Sequence, residues 1–98
     1  MSFSFNDEAE LEFLEAIDYF ERRRDGLGDD FAREVFAAIG RIQLDPESWP
    51  QFGPGIRRYL TDRFPYNIIY EIVDDEIFIW AIMHQSRQPG YWSARLED

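Results

Sequence analysis

The feature that most constrains the fold is a pair of apolar runs separated by two aspartates. The first run ends at Val73, the break consists of Asp74 and Asp75, and the second run begins at Ile77. Both runs are rich in β-branched and aromatic residues, and a two-residue break between such runs is typical of a β-hairpin. The sequence therefore predicts two adjacent antiparallel strands.

The hairpin also indicates which side chains share a face, because side chains alternate between the two faces of a strand. One face is expected to hold the pairs Ile72 with Ile77, Tyr70 with Ile79, and Ile68 with Ala81. The opposite face is expected to carry Asn67, Ile69, Glu71 and Val73 on one strand, and Phe78, Trp80, Ile82 and His84 on the next. Both faces are largely apolar, so both must be covered.

Two amphipathic helices are predicted upstream of the hairpin. Apolar residues recur at helical spacing from Ala9 to Phe20 and again from Phe31 to Ile42. Asn6 is placed to cap the first helix, because its side chain can accept a hydrogen bond from a free backbone N–H. The short connection between the helices predicts an antiparallel helical hairpin whose apolar stripe packs on one face of the sheet.

The boundaries of the second helix are expected to depend on glycine, aspartate and proline. Gly26 and Gly28 are expected to supply left-handed backbone for the connection, and Asp29 or Asp30 is expected to cap the second helix. Pro46 is expected to end that helix.

These elements predict a single domain over residues 1–98, of the α+β class and of the order β-α-α-β-β-β. The alternating segment from Ser2 to Phe5 is expected to add a short edge strand. The helical hairpin should pack on one face of a small twisted antiparallel sheet. Beneath it we expect the most continuous apolar set: Ile68, Tyr70, Ile77, Ile79 and Ala81.

Composition excludes several classes of function. The chain has no cysteine and one histidine, which excludes thiolate sites and multi-histidine metal sites within one chain. Neither a metal nor another cofactor is expected. The apolar runs are too short to span a bilayer, and the N-terminus lacks the pattern of a signal peptide. A cytoplasmic protein with no membrane partner is therefore expected.

The charge of the chain is high and unevenly distributed. The formal net charge is −10 and every cation is an arginine. Direct binding to nucleic acid by the protein alone is not expected, because phosphate contacts need a positive surface. Glu8, Glu12 and Glu15 recur along one face of the first helix, which is either a solvated face or a docking surface for a basic partner.

Several motifs, taken in chain order, resemble a known family. They are the Gly26-Leu27-Gly28 turn leading to Phe31, Pro46 before Trp49-Pro50, Arg57-Arg58, Arg63-Phe64-Pro65-Tyr66, the Ile68/Tyr70 strand, and His84-Gln85-Ser86-Arg87-Gln88-Pro89-Gly90-Tyr91-Trp92. Together they cover nearly the whole chain and resemble the RelE/ParE superfamily of bacterial toxins. The resemblance implies the toxin of a type II toxin–antitoxin pair, with a cognate antitoxin as protein partner in a hetero-oligomer.

The resemblance leaves three functions open. Members resembling ParE poison DNA gyrase, members resembling RelE cleave messenger RNA in the ribosome, and an inactive relative would retain only antitoxin binding. The lysine-rich strand of RelE-type ribonucleases is absent here, since the chain contains no lysine. The sequence therefore favours a ParE-like toxin that binds and inhibits DNA gyrase, rather than an endoribonuclease.

The candidate site residues follow from these alternatives. For a ribonuclease, the candidate catalytic residues are His84, Arg87 and Tyr91. Candidates for target binding are Arg57, Arg58, Arg63, Arg87, Tyr91 and Trp92. Candidates for antitoxin binding are Phe78, Trp80, Ile82, Glu8, Glu12 and Glu15.

Each group of candidates also has a structural interpretation. In this interpretation His84 hydrogen-bonds across the sheet edge and fixes the turn into Ser86, while Tyr91 and Trp92 pack the C-terminal tail onto the sheet. At least one of the arginines is expected to neutralise a carboxylate of the acidic helices.

Overall fold

The computed structural model describes residues 1–51, 53–87 and 90–97, and its elements follow the predicted order. The elements are strand β1 (Phe3–Phe5), helices α1 (Asp7–Arg23) and α2 (Leu27–Leu44), strands β2 (Ile56–Leu60), β3 (Tyr66–Val73) and β4 (Glu76–His84), and a C-terminal 3₁₀ helix (Ser93–Glu97). Gln88 and Pro89 of the last motif lie outside the described residues. No described helix is long and apolar enough to cross a membrane.

The four strands form one sheet in the order β1-β4-β3-β2. Strands β2, β3 and β4 pair antiparallel, whereas β1 runs parallel to β4. The α+β class, the element order and the edge position of β1 are confirmed, but a purely antiparallel sheet was wrong. Alternation of side chains identifies a strand without encoding its direction. The pairing of β1 continues into the helix start, where Asn6 N–H donates to Ile79 O at 2.8 Å.

Helix α1 begins as predicted. The Asn6 side chain accepts the N–H of Glu8 at 3.0 Å, which satisfies one free donor of the first turn. Helix α2 ends at Leu44, two residues before Pro46, as the proline predicted.

The start of α2 differs from the prediction. The helix begins at Leu27 after Gly26, whose φ of 87° lies in the left-handed region that favours glycine. The carboxylate of Glu21 accepts the N–H groups of Gly26 and Gly28 at 2.9 and 3.0 Å. This side chain comes from the preceding helix, so a cap by Asp29 or Asp30 was wrong. Both aspartates instead lie in the first turn, where a carboxylate is favoured by the helix dipole.

Gly28 has a packing role rather than the predicted left-handed one. A Cβ at this position would lie 2.6 Å from the backbone oxygen of Ile17. The absence of a side chain therefore lets the two helices approach closely at this point.

The β3–β4 hairpin turns at Asp74 and Asp75, whose φ angles are 51° and 62°. Two consecutive positive φ angles match the turn that suits the twist of paired strands. The predicted pairs Ile72 with Ile77 and Tyr70 with Ile79 are confirmed.

Beyond these pairs, a β-bulge changes the register. Ile69 pairs with Ala81 and Ile68 with Ile82, which leaves Trp80 as the extra residue of β4. A bulge inserts one residue and so reverses the alternation that follows it. Ala81 therefore joins the apolar cluster on the face away from the helices, and Ile82 joins the core beneath them.

The bulge overturns four expectations. The pairing of Ile68 with Ala81, the position of Ala81 beneath the helices, and the positions of Ile82 and His84 on the other face were all wrong. The other members of the predicted set, Ile68, Tyr70, Ile77 and Ile79, do pack beneath the helical hairpin and are completely buried.

Candidate functional site

The C-terminal segment, residues 90–97, packs on the second face of the sheet, which is the face turned away from the helices. Trp92 is 5% exposed. It belongs to a cluster of five buried side chains: Ile56, Ile69, Ala81, Met83 and Trp92. The predicted packing of Trp92 onto the sheet is confirmed, and little of its surface remains for contact with a target.

Glu12 of α1 fastens the C-terminal segment to the helices. Its carboxylate accepts two hydrogen bonds from the Arg95 guanidinium, at 2.8 and 3.0 Å, and one from the hydroxyl of Tyr91. The side chains of Arg95 and Glu12 are 8% and 15% exposed. A bidentate arginine–carboxylate pair in such surroundings is among the stronger polar contacts in proteins.

The same two side chains also satisfy the unpaired edge of β4 beyond β1. The N–H of Ile82 donates to the Glu12 carboxylate at 3.1 Å, and Arg95 donates to the backbone oxygen of Trp80 at 2.9 Å. Both contacts lie next to the bulge, where β4 has no neighbouring β1 residue. Glu12 is thus occupied within the fold rather than presented to a partner.

Of the predicted acidic stripe, two members remain accessible. The side chain of Glu8 is 64% exposed and lies 3.3 Å from Arg95 Nε. Glu15 is exposed. The surface that α1 offers to a basic partner is therefore narrower than the sequence spacing suggests.

Tyr91 is held between two arginines and a carboxylate. The guanidinium carbon of Arg87 lies 3.8 Å from the centre of the Tyr91 ring, and that of Arg95 lies 5.1 Å from it. Burial, together with the hydrogen bond to Glu12, raises the pKa of Tyr91 above its ordinary value of 10.0. A phenol that is harder to ionise and already bonded to a carboxylate is poorly suited to proton transfer at neutral pH.

His84 ends β4 on the helix side and fixes the following turn. Its Nδ1 accepts the N–H of Ser86 at 3.0 Å and lies 2.7 Å from Ser86 Oγ. The ring packs edge-on against Tyr66, with centroids 5.4 Å apart. The predicted structural role of His84 in the turn is confirmed, while its Nε2 is the nitrogen left to carry the proton in the neutral form.

His84 and Arg87 line a cleft between α1 and the end of β4, which we call the helix cleft. It holds about 280 Å³ and also includes Glu15, Tyr19 and Tyr66. Burial raises the pKa of Tyr66. Two of the three catalytic candidates thus share a cleft, while the hydroxyl of the third, Tyr91, is bonded to Glu12.

A second cleft opens on the other face of the sheet, and we call it the arginine cleft. It holds about 140 Å³, and its lining includes Arg58, Asn67, Ile69, Met83, Arg87 and Trp92. Arg58 and Arg87 are exposed, and these two arginines from separate elements line one opening. Arg87 contributes to both clefts.

Asn67 is a buried polar residue in the lining of the arginine cleft. Asn67 is 6% exposed, and its Oδ1 is buried without a hydrogen-bond partner among the described residues. A buried carbonyl oxygen without a partner loses its hydration without compensation.

The other two target-binding candidates are bonded within the fold. Arg57 donates to the backbone oxygens of Glu47 and Trp49 at 2.9 and 2.8 Å, which ties the proline-containing connection to β2. Arg63 pairs with Asp30 at 3.2 Å, which confirms that one arginine neutralises a helix carboxylate. Arg58 and Arg87 line the arginine cleft.

The aromatic antitoxin candidates lie on the second face, as predicted. The rings of Phe78 and Trp80 pack edge-on with centroids 4.6 Å apart, and both residues are half-buried. Trp80 Nε1 donates to the carboxylate of Glu71 at 3.0 Å. Ile82, the third apolar candidate, is 2% exposed beneath the helices and offers no docking surface.

Sequence reasoning missed three residues that organise this region. Glu12 was interpreted as a surface acid, and Asn67 and Arg95 were given no role. An asparagine directly before the apolar run Ile68-Ile69-Tyr70 was the available signal for Asn67. The pairing of Glu12 with Arg95 has no local signal, because the two residues are 83 positions apart.

Comparison with known proteins supports the resemblance of the motifs. The family described as the ParE toxin of the type II toxin–antitoxin system, parDE, matches residues 3–89. No curated protein matches the chain in sequence.

Solved structures show the same fold at low sequence identity. The chromosomal ParDE toxin–antitoxin system from P. aeruginosa matches with a TM-score of 0.71 at 18% identity, covering 86% of this chain and 95% of that chain. The isolated E. coli RelE toxin matches with a TM-score of 0.65 at 15% identity, covering 98% and 96%.

An arginine-substituted E. coli RelE in complex with a peptide of its antitoxin RelB matches with a TM-score of 0.63 at 14% identity, covering 95% of this chain and 92% of that chain. These likenesses establish the fold, and the family match spans most of the chain. The protein therefore belongs to the ParE toxin family of type II toxin–antitoxin systems.

Proposed function

We propose that the protein acts as a ParE-like toxin that binds and inhibits DNA gyrase, and that it acts by binding rather than by catalysis. The observation that carries this proposal is that the candidate acid/base group, His84, and the cation Arg58 lie on opposite faces of the sheet. His84 lies on the helix side of the sheet, whereas Arg58 and Asn67 open onto the second face. Cleavage of RNA needs the acid/base group and the phosphate-binding cations around one phosphate.

The chemistry of the arginine cleft supports the same conclusion. Its described lining carries two arginines, an asparagine and a glutamine but no side chain that titrates near neutral pH. Arginine stays protonated and is a poor proton donor. Guanidinium groups over an apolar floor are instead typical anchors of protein interfaces.

A ribosome-dependent endoribonuclease is the second candidate. The observation that favours it is the helix cleft, where His84 and Arg87 line one opening. The hydroxyl of Tyr91 would contribute little, because its pKa is raised and it is bonded to Glu12.

Neutralisation by a cognate antitoxin follows from membership of the family. For its docking surface we favour the exposed acids of α1, Glu8 and Glu15, together with the aromatic pair Phe78 and Trp80. A basic amphipathic segment of the antitoxin would complement both features. The site of action of the pair is proposed to be the cytoplasm.

The proposal is tested with purified toxin in two assays run side by side. One measures supercoiling by DNA gyrase and the other measures cleavage of messenger RNA on translating ribosomes. We expect inhibition of supercoiling that is reversed by the cognate antitoxin, with messages left intact. Message cleavage with unaffected gyrase would instead support the ribonuclease.

A further inference from the structure

We infer that the arginine cleft is a recognition site for one acidic residue of a target protein, whose carboxylate binds Arg58 and Arg87 and whose backbone N–H donates to Asn67 Oδ1. This inference deepens the proposed function, because it names the chemical group that the toxin recognises on its target. It starts from the buried Asn67 side chain, which lines the cleft and has no described partner for Oδ1.

The surroundings of Asn67 hold its Oδ1 in place as a hydrogen-bond acceptor. Asn67 lies on β3 between Met83 of β4 and Leu60 of β2, so the surrounding sheet fixes its backbone on both sides. Ile69, Met83 and Trp92 line the same cleft and are buried. An acceptor held rigidly at an apolar floor discriminates strongly between ligands with and without a matching donor.

The charges define the other half of the ligand. Arg58 comes from β2 and Arg87 from the turn after β4. The guanidinium of Arg87 is steadied by the Tyr91 ring 3.8 Å away, and Tyr91 is itself fastened to Glu12. Planar guanidinium groups bind carboxylates through paired hydrogen bonds, so the cleft suits a carboxylate beside a peptide N–H.

Size and net charge favour a protein carboxylate over a nucleotide. The cleft holds about 140 Å³, whereas sites for small organic ligands usually hold roughly 300–1,000 Å³. A chain with a net charge of −10 and no lysine repels a polyanion at long range. One acidic side chain presented by a folded partner fits the small cleft and carries a single charge rather than a polyanion's many.

The direct test uses the full-length protein labelled with ¹⁵N and two probes of the same shape. The probes are N-acetyl-glutamate N-methylamide and N-acetyl-glutamine N-methylamide, titrated to tens of millimolar. We expect the side-chain amide signals of Asn67 to shift with the glutamate probe and several-fold less with the glutamine probe. Equal responses to both probes, or no response to either, would overturn the inference.

Arg58→Gln removes one guanidinium, and Arg24→Gln is the matched control because Arg24 is exposed at the end of α1 and does not line the cleft. We expect the affinity for the glutamate probe to fall about tenfold in Arg58→Gln and to be unchanged in Arg24→Gln. Inorganic phosphate and an RNA trinucleotide are titrated in parallel. Shifts of Asn67 with these, and none with the glutamate probe, would assign the cleft to nucleic acid and overturn the inference.

Measurement of gyrase binding separates this inference from the proposed function. If Arg58→Gln binds gyrase as tightly as the wild-type toxin does, the cleft is not the recognition site, although gyrase remains the target. If the wild-type toxin does not bind gyrase but its Asn67 signals respond to the glutamate probe, the proposed target is wrong and the carboxylate site stands.

Discussion

The hydroxyl of Tyr91 donates a hydrogen bond to the carboxylate of Glu12, across 79 positions of the chain. This contact joins the C-terminal segment to α1, and the Arg95 guanidinium reinforces it from the same segment. The chain itself therefore covers part of the second face of the sheet. Tyr91, a target-binding candidate that also contacts Arg87, is thus fastened to α1 through one largely buried carboxylate.

Replacing Glu12 should loosen this segment. In Glu12→Gln the largely buried Arg95 loses its bidentate partner, although Glu8 remains 3.3 Å away. We expect the free energy of unfolding to fall by about 3 kcal/mol, since removal of one partner from a buried ion pair leaves an uncompensated charge. Urea denaturation followed by tryptophan fluorescence measures this change.

Glu15→Gln is the control for that experiment, because Glu15 is an exposed acid on the same helix. A change within about 0.5 kcal/mol is expected there. If both variants lose the same stability, the contact between Glu12 and the C-terminal segment does not stabilise the fold.

The tyrosine contacts also predict that the free energy of unfolding falls at alkaline pH. The raised pKa of Tyr91 means that the folded state favours the neutral phenol. Its contribution to stability is therefore complete below the unfolded pKa of about 10 and is lost as the pH rises through the higher folded value. Burial likewise raises the pKa of Tyr70 to about 12.

Absorbance of tyrosinate, recorded from pH 8 to 13, follows these ionisations. Comparison of the wild-type protein with Tyr91→Phe isolates the signal of Tyr91, which should ionise only above pH 10. Ionisation of Tyr91 at an unperturbed pKa would show that its hydroxyl is not held by Glu12 in solution.

Two glycines of α2 provide a matched pair for helix packing. A Cβ at Gly28 would meet Ile17 O at 2.6 Å, whereas a Cβ at Gly40 would meet nothing within 4 Å. We expect Gly28→Ala to destabilise the fold by about 1–3 kcal/mol through overpacking. Gly40→Ala should stabilise it by up to about 1 kcal/mol through helix propensity. Thermal denaturation measures both changes, and a stabilising Gly28→Ala would refute the close contact between the helices.

Charge steering should contribute to recognition of the antitoxin. Opposite charges accelerate association at low ionic strength, and screening removes this effect. Because Glu8 and Glu15 are exposed, we expect the association rate constant to fall by about tenfold or more between roughly 0.02 and 0.5 M salt. Stopped-flow measurements should show a shallower dependence in Glu8→Gln/Glu15→Gln. An association rate that does not vary with salt would exclude these acids from recognition.

Local patterns in the sequence predicted the elements of this fold well. The Asp74-Asp75 turn, the Asn6 cap and four of the five apolar residues predicted beneath the helices all follow from spacing over a few residues. The predictions that failed concern features of the fold that short-range patterns do not encode. The bulge at Trp80 reversed the faces of Ala81 and Ile82 because one inserted residue shifts the period of the strand.

The candidate site was predictable in its residue types but not in its arrangement. The motifs identified Arg58, Arg87 and His84, which line the two clefts, and Tyr91, which contacts Arg87. They could not show that the sheet separates His84 from Arg58. They also gave no sign of the Glu12–Arg95 pair, which unites the two ends of the chain.

The most direct test of a binding mechanism is the potency of His84→Gln against DNA gyrase. Glutamine keeps a hydrogen-bonding side chain but cannot transfer protons near neutral pH. We expect this variant to inhibit supercoiling within about twofold of the wild-type toxin, and neither protein to cleave messages on ribosomes. Robust cleavage by the wild-type toxin that falls by roughly 10²–10⁴-fold in His84→Gln, with gyrase unaffected, would contradict the account.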